Sequence, residues 1–319
     1  MQFLFVIDPL DSLKAYKDSS ITMMREAQRR GHAVWVCEQT GIAADAGEIS
    51  ARVTPIQLTN QDDDWVRCGT PSQRTLRSFD AVINRKDPPF DLEYVTTTWL
   101  LSAAERAGAC VVNSPQAVRD HNEKLAILEF AQFNAPTLVT RDAQQIHAFI
   151  EAQRDVVIKR LDTMGGENIF RIRNDDPNRN AIVEIMSLGG ARSVMVQAYL
   201  PEIVDGDKRI LLIGGKVVPY ALARIPKAGE TRGNLAAGGR GEARALSDRD
   251  RLIAQTIAPI VAARGLLLVG LDVIGACLTE VNVTSPTCFR EITDQTGFDV
   301  AALFIDALEE QVKARASQQ

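Results

Sequence analysis

Apolar positions in the first 120 residues alternate between unbroken runs and helical spacing. Phe3 to Ile7, Ala33 to Cys37, Ala81 to Asn84 and Cys110 to Asn113 are short apolar runs, which predict buried strands. Ser19 to Arg30 and Tyr94 to Ala107 carry helical periodicity and stop at Gly31 and Gly108, residues suited to a helix C-cap. This βαβ rhythm predicts a doubly wound, mostly parallel sheet. Pro115 to Phe133 reads as a helical connector, followed by a smaller α+β segment with strands at Val156 to Arg160 and Ser193 to Tyr199. Between those strands the polar run Asn174 to Asn180 reads as a loop. Arg209 to Ile213 and Val217 to Ala223 then flank a Gly214-Gly215 turn.

A second hairpin joins Leu266 to Ile274 and Cys277 to Val283 across Gly275-Ala276. Side chains alternate along a strand, so Glu280 and Asn282 share a face while Val281 points into the core. The short turn brings Asp272 to within about one pair of Glu280. Two carboxylates and an amide oxygen are hard donors of the kind that hold magnesium together with substrate phosphates. An ordinary solvated hairpin face is the alternative.

Lys159 ends the run Val156-Val157-Ile158, and Gly165-Gly166 follows after a short loop. A strand-edge lysine beside a glycine loop suits a phosphate clamp, though a snorkelling edge lysine has the same signature. Lys124 is uninformative by itself. The segment from Arg224 to Gly241 is rich in glycine and cations and fits neither helix nor strand, which predicts a loop able to order over an anion. An RNA-binding glycine/arginine segment and a plain linker are its rivals.

The chain has 319 residues, 45% hydrophobic and 24% charged, with a net charge of −5. That length allows roughly two domains of about 150 residues. The acidic balance gives no global field for nucleic acid or an anionic membrane. No apolar run approaches the ~20 residues of a membrane span. The apolar amino terminus lacks a basic flank and reaches Asp8 early, so it reads as a first strand rather than a signal peptide. Cys37, Cys68, Cys110, Cys277 and Cys288 form no regular framework, which argues for a reducing cytoplasm. His32, His121 and His147 show no metal spacing and read as surface residues. Neither a dinucleotide G-x-G-x-x-G after the first strand nor a P-loop is present.

Several segments in order resemble the prokaryotic glutathione synthetases of the ATP-grasp superfamily. They are Lys17-Asp18-Ser19-Ser20, Arg85-Lys86-Asp87-Pro88-Pro89-Phe90-Asp91, Asn113-Ser114-Pro115 and Arg119-Asp120-His121-Asn122-Glu123-Lys124. Glu230-Thr231-Arg232-Gly233-Asn234 and Thr279-Glu280-Val281-Asn282-Val283-Thr284-Ser285-Pro286-Thr287 complete the series. The resemblance implies an α/β and α+β chain, with an ATP-grasp fold preceded by the doubly wound domain. Residues 1–122 would form that first domain, 123–200 a small ATP lid, and 201–319 the catalytic domain with loop 226–241.

By the same resemblance, Lys124 and Lys159 contact ATP phosphates beneath Gly165 and Gly166. Gln197, Tyr199 and Leu200 line the adenine pocket, and Asp207 takes the ribose. Asp272, Glu280 and Asn282 hold magnesium, or manganese in its place. Arg209 and Arg224 neutralise the transferring phosphate. Asp18, Ser19, Arg85, Asn113, Thr284, Ser285 and Thr287 are candidates for γ-glutamylcysteine, with Arg232 on a lid that excludes water. The implied reaction joins γ-glutamylcysteine to glycine through an acyl phosphate, in a cytoplasmic homotetramer. Glu167 stands where the family often has a small residue, and its side chain is expected to point outward. An ATP-grasp ligase for other substrates and a non-catalytic nucleotide-binding module are the competing readings.

Overall fold

In the computed structural model, residues 1–163, 165–227, 229–230, 233 and 238–317 are described. Three sheets organise them. The first is built on β1 (Gln2–Val6), followed by α1 (Ser19–Arg29) and β2 (Ala33–Cys37). Next come β3 (Ile42–Asp45), β4 (Glu48–Leu58), β5 (Val66–Cys68), β6 (Ser72–Thr75) and β7 (Ala81–Asn84). Helix α2 (Leu92–Arg106), β8 (Val111–Val112) and α3 (Pro115–Asp120) end this part. Strands β2, β1, β7 and β8 are parallel neighbours, the expected doubly wound core. The antiparallel strands β3 to β6 extend it at one edge.

The predicted connector is two pieces, α3 and a kinked 3-10 segment over Leu125–Phe133, because Phe130 leaves helical geometry. The second sheet comprises β9 (Thr137–Thr140), β10 (Asp155–Arg160), β11 (Ile169–Arg173) and β12 (Val194–Ala198), in order β11-β10-β12-β9. Helices α4 (Ala143–Gln153) and α5 (Arg179–Ser187) cover one face through Ile146, Ile150, Val183 and Met186. The polar run at 174–180 is therefore a turn that passes into α5 at Arg179.

The third sheet has β13 (Asp207–Ile213), β14 (Lys216–Ile225), β15 (Arg240–Ala245), β16 (Leu268–Ile274) and β17 (Cys277–Asn282), all antiparallel. Helix α6 (Asp248–Ala263) packs Ile253, Ile257 and Val261 on one face. The other face meets α7 (Phe289–Thr296) and α8 (Val300–Ala316). Phe289 and Phe304 there share one core with Phe3, Phe5 and Met23 of the first sheet and α1. Burial of these large side chains, worth ~1.5–3 kcal/mol each, fastens the first sheet to the third. Among the described residues no helix is long and apolar enough to cross a membrane.

The predicted 224–241 loop is shorter than its composition suggests. Arg224 and Ile225 extend β14, and Arg240 and Gly241 open β15, in register with each other. Arg232 lies outside the described residues.

Candidate active site

Between the second and third sheets lies an open cavity. All eight residues expected to hold ATP line it: Lys124, Lys159, Gly165, Gly166, Gln197, Tyr199, Leu200 and Asp207. Alternation along β10 explains the placement of Lys159. Val156 and Ile158 enter the core, while Val157 and Lys159 face the cavity. Lys159 was expected at a sheet edge; β10 is instead flanked by β11 and β12, so its side chain rises from the middle of the sheet. Its Nζ donates to Gln197 Oε1 at 2.6 Å, and burial lowers its pKa. Gly165 and Gly166 turn at φ +67° and +84°, a conformation that costs other residues a Cβ clash. Glu167 is exposed but also lines this cavity, so its expected outward direction is not established, and its carbonyl accepts from Thr163 Oγ1 at 3.2 Å.

The hairpin geometry is tighter than its sequence required. Asp272 pairs directly with Glu280, and Gly270 with Asn282, with a bulge just beyond Asp272. Val281 is fully buried, as its alternation demands. Arg209 stands opposite Asp272 on the other side, and Asp207 opposite Arg224, so the charged groups form rows across one sheet face. Gly270 makes room for this: a Cβ there would lie 2.8 Å from Arg209 Cδ and 2.9 Å from Pro286 Cβ.

Asp272 receives Arg209 Nε at 2.5 Å and Nη2 at 3.0 Å, and Arg224 Nη2 at 2.9 Å. Burial alone would raise its pKa, but the two guanidinium groups outweigh burial and hold it well below the usual carboxylate range. Asp207 shares only Arg224, at 2.6 Å, and its other oxygen has no partner. Burial therefore dominates and pushes Asp207 up to about 6. Lys124 Nζ bridges Glu280 Oε1 at 3.0 Å and the Thr163 carbonyl at 2.6 Å. Burial opposes its charge, yet Glu280 makes the net shift upward.

Asn282 spends its amide N–H on Gly270 O at 3.2 Å, which leaves the amide oxygen available. Among the described residues no group of three or more His, Cys, Asp or Glu side chains has metal-holding geometry. The hairpin set has two carboxylates and one amide oxygen, a set that fits magnesium only with oxygen donors from a substrate or water.

A second, open cleft lies on the far side of the arginines. Asp18, Arg209, Arg224, Asn282, Thr284, Ser285 and Thr287 line it, and Gly165 borders both spaces. Asp18 also caps α1 by accepting from Ile21 N at 2.9 Å, and burial raises its pKa. Arg85, also expected at the substrate, does not line the cleft; it is buried behind it, bonded to Ser20 Oγ and to the carbonyl of the lining residue Pro286, with Nη1 left unpaired.

Two expected substrate residues are engaged elsewhere. Ser19 Oγ accepts from Phe289 N at 3.2 Å and is buried where α1 meets α7. Asn113 directs its amide to the backbone of Leu268 and Val283 through three bonds of 2.8–2.9 Å. Both join the first sheet to the third rather than facing the cleft.

Glu123 escaped the sequence reading. One of its oxygens accepts from Val283 N, Thr284 N and Thr284 Oγ1 at 2.8–3.0 Å. Its adjacency to Lys124 was the available signal. Apolar Val157, Ile169, Ile203 and Ile274 in the first cavity were also unassigned. His121, expected at the surface, is buried, with its ring between Ala117 O and Arg264 Nη1.

Comparisons with known proteins identify the family. The family model described as "Prokaryotic glutathione synthetase, N-terminal domain" matches residues 1–119, and "Prokaryotic glutathione synthetase, ATP-grasp domain" matches residues 123–297. The glutathione synthetase of Ralstonia nicotianae is 58% identical over 309 residues, covering 97% of this chain and 95% of that protein. That of Nitrosomonas europaea is 55% identical over 315 residues, 98% of each. Among solved structures, D-cycloserine synthetase DcsG superposes with a TM-score of 0.67 at 16% identity, covering 97% of this chain and 99% of its own. The ATP-grasp ligase PsnB, complexed with precursor peptide PsnA2 and AMPPNP, gives 0.61 at 20% identity, covering 97% and 98%. At those identities the two structures speak for the fold alone. With both family models matched and relatives above half identity along nearly the whole length, the chain belongs to the prokaryotic glutathione synthetases, ATP-dependent ligases of the ATP-grasp fold.

Proposed function

We propose that this chain joins γ-glutamylcysteine to glycine at the expense of ATP, and that the arginine–aspartate cluster is where the phosphoryl group crosses from one substrate to the other. The observation that carries the reading is the position of that cluster. Asp272 lines the nucleotide cavity, while Arg209 and Arg224, bonded to it, line the second cleft.

The nucleotide lies with its base among Val157, Ile169, Tyr199, Leu200 and Ile274. The unpartnered Asp207 oxygen accepts from a ribose hydroxyl. Lys124 and Lys159 supply point charges to the phosphates, and the amides of Gly165 and Gly166 approach them closely. Asp272, Glu280 and Asn282 would hold magnesium, or manganese in its place. Such an ion, when bound, neutralises phosphate charge.

The cysteinyl carboxylate oxygen of the dipeptide then attacks the γ-phosphorus, and ADP departs. Arg209 and Arg224 stabilise charge on the transferring group. The glycine nitrogen next attacks the acyl carbon; the C–O bond to phosphate breaks, and the amine loses a proton. Activation is needed because a free carboxylate is a poor electrophile. Exclusion of water, the role assigned to Arg232, protects the acyl phosphate. Asp18, Thr284, Ser285 and Thr287 hold the dipeptide.

The same reading divides the chain into a first domain over 1–122, a lid over 123–200 and a catalytic domain over 201–319. The three sheets, each confined to one of these ranges, support it. It also includes a cytoplasmic homotetramer without nucleic-acid or membrane partners. Five free cysteines support a reducing compartment. Exposed Leu92 and Trp99 on α2 offer apolar surface for a subunit contact. Purified protein with ATP and magnesium should release phosphate only when γ-glutamylcysteine and glycine are both present. Equal turnover with D-alanine alone would reject the assignment.

A further inference from the structure

Five buried side-chain atoms among the described residues lack a hydrogen-bond partner: Arg85 Nη1, Asn134 Oδ1, His147 Nδ1, Asp207 Oδ1 and Glu291 Oε2. An unpaired buried group is costly, so each is a place where a ligand can supply what the chain does not. Asp207 lines the nucleotide cavity and is accounted for above. Glu291 lines the other cleft, and no role has been given to it.

Glu291 sits in the first turn of α7, which a core of Phe289 and Ile292 holds rigidly in place. Its neighbour Arg290 does not neutralise it. That guanidinium is engaged by Asp62 at 2.9 Å and by the Ala15 carbonyl at 2.7 Å. Burial raises the Glu291 pKa; its own backbone N–H and then the Lys17 ammonium pull the other way without reversing the shift. Lys14 and Lys17, from the segment leading into α1, line the same cleft. The space thus offers a carboxylate short of a donor in a cleft that two lysines also line.

We propose that Glu291 receives the α-ammonium group of the substrate's γ-glutamyl residue, with Lys14 and Lys17 taking the α-carboxylate on the same carbon. This rests on the functional reading above and deepens it. An α-amino acid head carries one positive and one negative group on a single carbon, and the cleft presents the complementary pair. Glycine has the same two groups, but its nitrogen must become a neutral nucleophile at the acyl carbon. A carboxylate that grips it would keep it protonated. The γ-glutamyl nitrogen forms no bond in the reaction. Holding it as an ammonium keeps its lone pair from competing with glycine.

The test compares γ-glutamylcysteine with glutarylcysteine, which lacks only the α-amino group, in wild type and in Glu291→Gln. A site built around a charged hydrogen bond discriminates against the analogue that lacks it. Wild type should prefer γ-glutamylcysteine by at least about ten-fold in kcat/KM. Glu291→Gln should raise KM for γ-glutamylcysteine by about ten- to hundred-fold, leave KM for ATP and glycine unchanged, and narrow the preference to about two-fold. An equal loss on both dipeptides would show a structural role and overturn the proposal. So would a shift in the glycine KM alone. If the variant does not fold, the wild-type comparison decides by itself, because equal use of the two dipeptides overturns the assignment. A wild type inert toward γ-glutamylcysteine and glycine would instead overturn the functional reading and this proposal with it.

Discussion

Lys124 and Glu280 are an ion pair, Nζ to Oε1 at 3.0 Å, between the start of the 3-10 segment and β17. The lysine side chain is 6% exposed and the carboxylate 23%, so the pair is shielded from water on the lysine side. One Glu280 oxygen compensates the buried ammonium, and the proposed function gives the second to magnesium. Glu280→Gln keeps the shape and removes the charge. Phosphate release should fall at least about hundred-fold, the half-saturating magnesium concentration should rise, and circular dichroism should remain native. Initial rates across a magnesium titration check this. Unchanged turnover would exclude Glu280 as a ligand.

Asp207 makes the ligand-free protein sensitive to pH. Its folded-state pKa is pushed up to about 6 from 3.8, so in that interval the folded chain binds the extra proton. Stability from this group is fully present below 3.8 and is lost as pH rises through about 6. Asp272 is shifted the other way, so its contribution is lost only at pH below the ordinary carboxylate range. Asp207→Asn removes the first dependence and leaves the second. Variant minus wild-type stability should therefore be more favourable at pH 8 than at pH 5, by about 1.4 kcal/mol. Denaturant melts at the two pH values measure it, and a constant difference would show that Asp207 ionises without penalty.

Much of this site was legible because alternation in strands is a strong constraint. Once β16 and β17 were recognised as a hairpin, Asp272, Glu280 and Asn282 had to share a face opposite Val281. The same rule, not applied to β10 in the sequence, places Val157 beside Lys159 in the cavity. The strands over residues 42–75 were harder to see. In β4 the buried positions Ile49, Ala51 and Val53 change phase before Ile56 and Leu58, with Pro55 between them. Its short partners β5 and β6 are largely polar and exposed. Contacts between distant segments were out of reach altogether. Asn113 and Ser19 carry polar side chains that fit a substrate list, and only the packing of the first sheet on the third shows their bonds to backbone.

Asn113 separates those two roles. Its amide satisfies Leu268 N, Leu268 O and Val283 O at the junction of β8 with β16. Asn113→Ala leaves a buried N–H without an acceptor, at a cost of about 3 kcal/mol. The melting temperature should fall by ~5 °C. KM for γ-glutamylcysteine should stay within about two-fold of wild type, since the side chain does not reach the cleft. A large rise in that KM with no thermal effect would return Asn113 to the substrate site.

Glu123 fixes where the catalytic hairpin ends. Its carbonyl accepts from Val281 N at 2.9 Å, and one carboxylate oxygen collects Val283 N, Thr284 N and Thr284 Oγ1. Burial raises its pKa first, with Glu280 adding to the rise, and those three donors oppose it. The backbone bond survives any side-chain change, so substitutions report on the carboxylate alone. Glu123→Gln retains an acceptor oxygen for the Val283 and Thr284 donors and should lose less than about ten-fold in kcat. Glu123→Ala frees Thr284 and the exit from Asn282, misplacing a magnesium donor and the dipeptide wall together. Its kcat should fall by about hundred-fold, with KM for γ-glutamylcysteine rising and KM for ATP nearly unchanged. Equal defects in the two variants would mean that the negative charge, rather than the position of the hairpin, is what Glu123 supplies.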